Sequence, residues 1–197
     1  MEKIHDETYE QKRRRLFGKV NFLPAYLQQL NKLLNIEVTA DMLLSIVETD
    51  CFLEQIDFNS DTLFYKETIP FEDKENLQRI VWSKLLDWNT NYMMELTNVK
   101  ECGLLPIPNL SVFNWNFKYE DEKSGIIVFI RQDKKEELVL DFYEEDFQYF
   151  LDIEIYRPIE CKNKNKNKAN RSPLDFAKQI NDLKMIDILT HKESILR

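Results

Sequence analysis

The residues of this chain that could carry out chemistry are mainly carboxylates. Among 35 acidic residues, Asp141 with Glu144 and Asp152 with Glu154 are pairs of the kind that general acid–base catalysis or a divalent metal would use. With so many acids, such pairs also arise by chance. A carboxylate- or metal-dependent hydrolase is therefore an alternative function for the chain, and a non-enzymatic function is preferred.

Other catalytic groups are few and badly placed. His5 and His191 lie at opposite ends of the sequence, and the three cysteines, Cys51, Cys102 and Cys161, have no CxxC spacing. A Cys–His nucleophile would require one of those cysteines to meet a distant histidine in the fold. Zinc-ligand spacing is missing, and three glycines leave almost no room for a phosphate-binding loop. The sequence predicts no catalytic residue, no metal and no cofactor.

Charge and composition restrict the class of partner. The formal net charge is −8, which disfavours nucleic-acid binding because a phosphate backbone attracts a basic surface. No apolar run reaches the roughly 18 residues that a membrane span requires. The first fifteen residues are charged and lack the apolar core of a secretory signal. We expect a cytoplasmic protein with reduced thiols and no membrane contact.

Most of the negative charge is concentrated in residues 110–156, where twelve acidic residues face five basic ones. Acidic residues are common in solvent-exposed turns, so one interpretation of this excess is a solvated sheet edge with no binding role. The other interpretation is an acidic recognition surface. The acidic residues of this stretch are Glu120, Asp121, Glu122, Asp133, Glu136, Glu137, Asp141, Glu144, Glu145, Asp146, Asp152 and Glu154.

The same stretch, 109–156, has the alternation and turn residues of an antiparallel meander. A first strand is predicted over 112–119, with its aromatic residues on one face. The run 126–130 is apolar on both faces and predicts a central, covered strand, followed by a strand over 138–143. Residues 147–155 alternate as a fourth strand, while a helix over 144–151 is a competing interpretation.

Helical periodicity dominates the first half of the chain. Residues 6–17 form either a helix or a mobile arm, with Arg13-Arg14-Arg15 as a helix end or an acidic-surface contact. Pro24 predicts the first turn of a short helix. Thr39 is expected to cap a longer helix through Ile56. Asp73 is expected to cap the strongest helix, whose apolar face extends to Tyr92.

The C-terminal segment carries a motif. Residues 161–171 alternate lysine and asparagine, which predicts an exposed loop. Ser172-Pro173-Leu174-Asp175-Phe176-Ala177 then opens a short helix, and Asn181 separates it from Met185-Ile186-Asp187-Ile188-Leu189. This segment resembles a single ankyrin repeat, with Asp175 in place of the usual histidine. The resemblance implies a helical hairpin over 172–197 that caps or extends an interaction surface and carries no catalytic residues.

These patterns predict one α+β domain over 1–160, with N-terminal helices packed on a three- to four-stranded antiparallel meander and an ankyrin-like helix pair docked at its end. In size, acidity and lack of catalytic motifs the chain is similar to bacterial toxin-immunity proteins. The resemblance implies a basic protein partner, such as a toxin, whose active site the acidic surface masks. A scaffold acting through the ankyrin-like end is another alternative. The predicted partner-binding residues are Glu120, Asp121, Glu122, Glu144, Glu145 and Asp146, with Trp115 or Tyr143 as an aromatic anchor if exposed.

Overall fold

In a computed structural model, the protein is described over residues 6–121 and 125–158. These residues form five α-helices and one six-stranded sheet, so the predicted α+β class is confirmed. The helices are α1 (Tyr9–Asn21), α2 (Leu23–Leu33), α3 (Ile46–Leu53), α4 (Leu77–Lys84) and α5 (Val99–Cys102). The strands are β1 (Leu63–Pro70), β2 (Tyr92–Glu95), β3 (Leu105–Ile107), β4 (Ile126–Arg131), β5 (Glu137–Glu145) and β6 (Gln148–Tyr156).

The sheet has the order β1-β6-β5-β4-β2-β3, and every neighbouring pair is antiparallel. Within the described residues it has six strands where the pattern predicted three or four. The strands at 126–130 and 138–143 are confirmed as β4 and β5. The helical interpretation of 144–151 is wrong, because this segment turns tightly and enters β6.

The strand predicted over 112–119 is also wrong. A 3-10 turn, Leu110–Val112, leads into this segment. Its β-type pairing is a single isolated bridge between Phe113 and Leu34, and it belongs to no strand of the sheet. Its alternation is nevertheless real, since Phe113, Trp115 and Phe117 are buried. The period-2 pattern came from an irregular segment that also turns at residues 115–116, where Phe117 N donates to Asn114 O at 3.0 Å. Its alternate side chains enter the core without belonging to a paired strand.

The first face of the sheet is the one that carries Phe129, Leu140 and Ile153, and it is buried. It forms the main core with α2, α4 and the segment 110–119. The second face carries Val128, Val139 and Glu154. Near β2 and β4 it is covered by a smaller core that includes residues of α3 and α5, and across β5, β6 and β1 it becomes polar.

Helix starts in the structure follow local capping. Thr39 precedes only a short 3-10 turn, and α3 begins later with Ser45 as its N-cap. The Ser45 hydroxyl accepts a hydrogen bond from Glu48 N, and the Glu48 carboxylate accepts one from Ser45 N at 2.9 Å. This reciprocal capping box satisfies two free N–H groups at once, which a Thr39 cap would leave unpaired.

The helix predicted from Asp73 to Tyr92 is shorter than its periodicity indicated. A 3-10 segment, Phe71–Asn76, precedes α4, which ends at Lys84. Tyr92 belongs to β2 and is buried, with its hydroxyl donating to Asp87 O at 2.9 Å. Trp88 folds back so that its ring stacks on Trp82 at 4.0 Å. Trp88 and Tyr92 therefore contact the core from segments that follow the helix.

Among the described residues, no helix is both long enough and apolar enough to cross a membrane. The lysine- and asparagine-rich tract at 161–171 and the ankyrin-like segment at 172–197 lie outside the described residues.

Candidate protein-interaction surface

The β5–β6 hairpin ends in a two-residue turn formed by Asp146 and Phe147. Register pairs Glu145 with Gln148, and both turn residues have positive φ, 50° and 62°. Two successive positive φ angles define the type I′ turn, whose twist matches that of the strands. Such turns normally carry asparagine, aspartate or glycine. An aromatic residue there is strained, at a cost of about 1–2 kcal/mol.

Phe147 stands in solvent at the end of this hairpin. Its side chain is 95% exposed, and Glu144, Glu145 and Asp146 beside it are exposed as well. β5 and β6 are each nine residues long and pair along their whole length, which holds the turn rigidly. The hairpin therefore presents a large apolar ring among three carboxylates.

A second acidic segment reaches the same end of the sheet. The 3-10 turn Tyr119–Asp121 packs against the hairpin through Tyr119, whose ring lies 4.4 Å from Tyr149 and 5.5 Å from Phe142. Partial burial, followed by the nearby Glu144 carboxylate, raises the pKa of Tyr119. We call the exposed residues that meet here the acidic tip. They are Glu120, Glu144, Glu145, Asp146, Phe147 and Tyr149.

The two aromatic residues predicted as anchors lie elsewhere. Trp115 is buried, and its indole N–H donates to Leu110 O at 3.1 Å, so the exposure required of an anchor is not met. Tyr143 is half-buried on the second face, where its ring lies 5.9 Å from that of Phe150 and its hydroxyl is hydrogen-bonded to Asp152. Neither residue belongs to the acidic tip.

One of the predicted acids, Asp121, also falls outside the acidic tip. Asp121 is half-buried, and one of its carboxylate oxygens accepts a hydrogen bond from Lys118 N at 2.7 Å. Its other oxygen lies 3.9 Å from Lys32 Nζ. Asp121 therefore holds its own turn together. Glu122 lies outside the described residues.

Phe147 was missed as a functional residue because it was assigned to a strand. The sequence does contain the signal that places it in a turn. The alternating apolar residues of β5 are mirrored by those of β6, and the mirror point falls between residues 146 and 147. The two sets are Leu138, Leu140 and Phe142 on β5, and Leu151, Ile153 and Ile155 on β6.

Three carboxylates meet on the second face, where the alternative hydrolase would need them. Asp152 stands opposite Asp141, and Lys66 Nζ bridges Asp152 at 2.8 Å and Glu154 at 2.7 Å. Burial by itself would raise the pKa of Asp152, but hydrogen bonds from Lys66 and Thr68 outweigh it and lower that pKa. Burial first, and then the charges of Asp152 and Glu154, raise the pKa of Asp141. Lys66 therefore offsets only part of the negative charge of this group. Within the described residues no group of three or more His, Cys, Asp or Glu side chains is arranged to hold a metal ion.

Glu137, on the second face, makes the free energy of unfolding depend on pH. Burial first, and then the charge of Glu95, raise the pKa of Glu137 to about 7. Between pH 4.5 and 7 the folded state therefore binds more protons than the unfolded state, so stability falls as pH rises through this range. We expect Glu137→Gln to raise the free energy of unfolding at pH 8 by roughly 1–2 kcal/mol and to flatten this decline.

Urea denaturation at pH 5 and pH 8 measures this effect. Glu145→Gln, an exposed position on the same strand, is the control and should leave the pH dependence as it is in the parent protein. An equal decline in the parent and in Glu137→Gln would exclude Glu137 as its source.

Comparison with known proteins gives no family model, curated protein or solved structure that matches the chain.

Proposed function

We propose that this protein binds a basic protein partner through the acidic tip and masks the partner's functional site, as an immunity protein masks a toxin. The observation that carries the proposal is that Phe147 has a positive φ and is 95% exposed. A strained backbone conformation and an exposed aromatic ring each cost stability, and neither improves the packing of the sheet. Strain of this kind, observed at one exposed position, is characteristic of residues kept for binding.

The acidic tip has the composition of a binding hot spot with a charged rim. Aromatic residues dominate binding energy when they enter a pocket on the partner, and surrounding contacts exclude water. Glu144, Glu145 and Asp146 precede Phe147 directly in the hairpin, and Glu120 adds negative charge from the neighbouring turn. Such a surface attracts a cationic partner over a distance of about one Debye length and raises the association rate. The rigid hairpin reduces the entropy lost on binding.

Affinity capture with the full chain tests the proposal. The bait is compared with a variant in which Glu144, Glu145 and Asp146 are changed to lysine. The matched control reverses Glu37, Glu54 and Asp57, three exposed acids outside the acidic tip and the turns packed against it, and changes the net charge by the same amount. We expect the parent and the control to retain one basic protein at low salt and the tip variant to lose it. High salt should weaken the retained complex.

Capture of no basic protein, or equal capture by the tip variant, would reject the proposal. The captured protein is then purified and its own activity is measured with and without this chain. A masking function requires that activity to fall in proportion to the bound fraction.

A single substitution at Phe147 should separate stability from binding. Phe147→Gly relieves the positive-φ strain and removes an exposed ring, so we expect the free energy of unfolding to rise by about 0.5–1 kcal/mol. The same change removes the anchor and should weaken the complex roughly 10- to 100-fold. Chemical denaturation and titration calorimetry with the captured partner measure the two effects. Leu86→Gly, at another exposed apolar residue outside both the tip and the helices, tests whether the loss of affinity is specific to the tip.

Two further parts of the proposal concern setting and architecture. A cytoplasmic location suits the reduced thiols and the acidic surface. The ankyrin-like segment at 172–197 would add a second contact surface or a cap, so a scaffold role through that end is compatible with masking through the acidic tip.

A further inference from the structure

One side of α1 is occupied by contacts within the protein. Gly18 lies directly against the backbone of α5, where a Cβ atom would stand 2.3 Å from Glu101 O. Arg14 forms an ion pair with Asp50 at the end of α3 and donates to Lys100 O at 3.0 Å. Gln11 also donates to Asp50, at 2.8 Å. These residues define the inward side of the helix.

The opposite side carries large apolar residues in solvent. Tyr9 is 83% exposed, Leu16 50% and Val20 77%. Together with Arg13 they follow the spacing 4-3-4, which is the a/d repeat of a coiled coil with Tyr9 and Leu16 at d. We call these four residues the outer seam. An apolar seam of this kind is the surface that a second helix packs against.

Cations flank the outer seam. Lys12 and Lys19 each directly precede an a position and so occupy g positions. Within the described residues neither lysine takes part in an ion pair, whereas Arg14 and Arg15 are paired with Asp50 and Glu7. The acid that flanks the seam at an e position, Glu10, is paired with Arg13 at 3.0 Å, so its charge is already offset. Residues at g contact the e or g residues of a partner helix and select its charge. Lysine at both g positions selects carboxylates.

We propose that the outer seam of α1 is a docking site for an acidic amphipathic helix of a partner protein. The helix would bury Tyr9, Leu16 and Val20 under its own apolar seam and place glutamate or aspartate beside Lys12 and Lys19. Arg13, at an a position, would meet a polar or acidic residue and set the register, a role that single polar residues have in coiled coils. This site is separate from the acidic tip and takes a partner of the opposite charge.

A second copy of this chain fits the outer seam poorly. Antiparallel pairing of two α1 helices would place lysine opposite lysine at the g positions. Parallel pairing would place Lys12 opposite Phe17, which offers no counter-charge. An anionic membrane also fits poorly, because membrane-surface helices bury a wide apolar face. Phe17, 55% exposed beside Leu16, widens the apolar face, but the Arg13 cation interrupts that face at its centre.

Two synthetic peptides test the charge selection. Both are three heptads long with isoleucine at a and leucine at d, and they carry either glutamate or lysine at every e and g position. Fluorescence anisotropy with the full chain should show the glutamate peptide binding at least about tenfold more tightly than the lysine peptide. Added salt should reduce that difference.

Variants of α1 test the contact itself. Leu16→Ala should weaken binding of the glutamate peptide roughly tenfold through lost apolar burial, whereas Leu86→Ala, at another exposed leucine, should not. Reversing Lys12 and Lys19 to glutamate should exchange the preference from the glutamate to the lysine peptide. Reversing the exposed Lys118 and Lys135 should not. The substituted residues of these four variants all lie outside the core, and circular dichroism checks that each variant is folded.

Equal binding of the two peptides, or an unchanged preference after the Lys12 and Lys19 reversal, would overturn the proposal. Two parallel measurements identify other occupants. Flotation with phosphatidylserine vesicles that depends on Leu16 would assign the outer seam to a membrane surface. Dimerisation in sedimentation velocity that Leu16→Ala abolishes would assign it to a second copy. Either result would also overturn the proposal.

Discussion

Replacing Arg157 with methionine is expected to lower the free energy of unfolding by about 3–5 kcal/mol at neutral pH, because it leaves a buried carboxylate without its cation. Glu136 is fully buried. Arg157 Nε donates to its carboxylate at 2.8 Å, and Arg157 Nη2 lies 2.7 Å from the same oxygen. Leu86 N also donates to this carboxylate, at 2.9 Å. Methionine keeps much of the packing over the Phe64 ring and removes only the charge and the donors.

Urea denaturation measures the effect of Arg157→Met, with Arg79→Met at an exposed arginine as the control that should stay within about 0.5 kcal/mol of the parent. The double variant Glu136→Gln with Arg157→Met should recover part of the loss, since it no longer buries an unpaired charge. A loss below about 1 kcal/mol for the single variant would show that water or another cation satisfies Glu136.

The second large effect is expected at Gly103, immediately after α5. Its φ of 103° with ψ of 153° lies in a region open essentially only to glycine. A Cβ atom there would stand 2.2 Å from Leu44 O, and the Gly103 carbonyl accepts a hydrogen bond from the buried Tyr26 hydroxyl at 3.0 Å. Gly103→Ala combines backbone strain with a steric overlap, so we expect a loss of about 3–5 kcal/mol.

Thermal and chemical denaturation test Gly103→Ala. Lys100→Ala, at an exposed position of the same helix, is the matched control and should be close to neutral. Because α1 packs on α5, the glycine variant should also reduce binding at the outer seam of α1 if α5 shifts. The acidic tip belongs to other elements and should keep its affinity in the fraction that remains folded. A stability within 1 kcal/mol of the parent would mean that the backbone at Gly103, or the segment before α3 that carries Leu44, relaxes easily.

Some features of this protein follow from local sequence alone. The alternation of β4 and β5 predicts those strands, since side chains on a strand alternate between two faces regardless of what covers them. Pro24 marks the start of α2 because it lacks the N–H group that a first helical turn leaves unpaired. The Ser45–Glu48 capping box is equally local and could have placed the start of α3. The carboxylates at residues 144–146 are likewise evident from the sequence.

The tertiary structure alone determined which of the patterned residues are available for binding. Trp115 and Phe147 are both aromatic residues within alternating segments, but one is buried under the sheet and the other stands in solvent. Periodicity indicates that apolar and polar side chains alternate. It does not indicate whether the backbone of that segment pairs with another strand or forms a turn. The same limit applies to α1, which the sequence left as either a helix or a mobile arm. Only the packing of Gly18 against α5 shows which side of this helix faces solvent.

The carboxylates show the same division. Their number and position in the chain are a property of the sequence, and from these we predicted an acidic surface and a possible pair for catalysis. Only the fold separates them by environment. Lys66 is shared between Asp152 and Glu154, Arg157 pairs with Glu136, and Glu144 to Asp146 remain exposed. The reason is physical: the charge of an acid is fixed by its side chain, while its solvation and its counter-charge come from residues distant in the sequence.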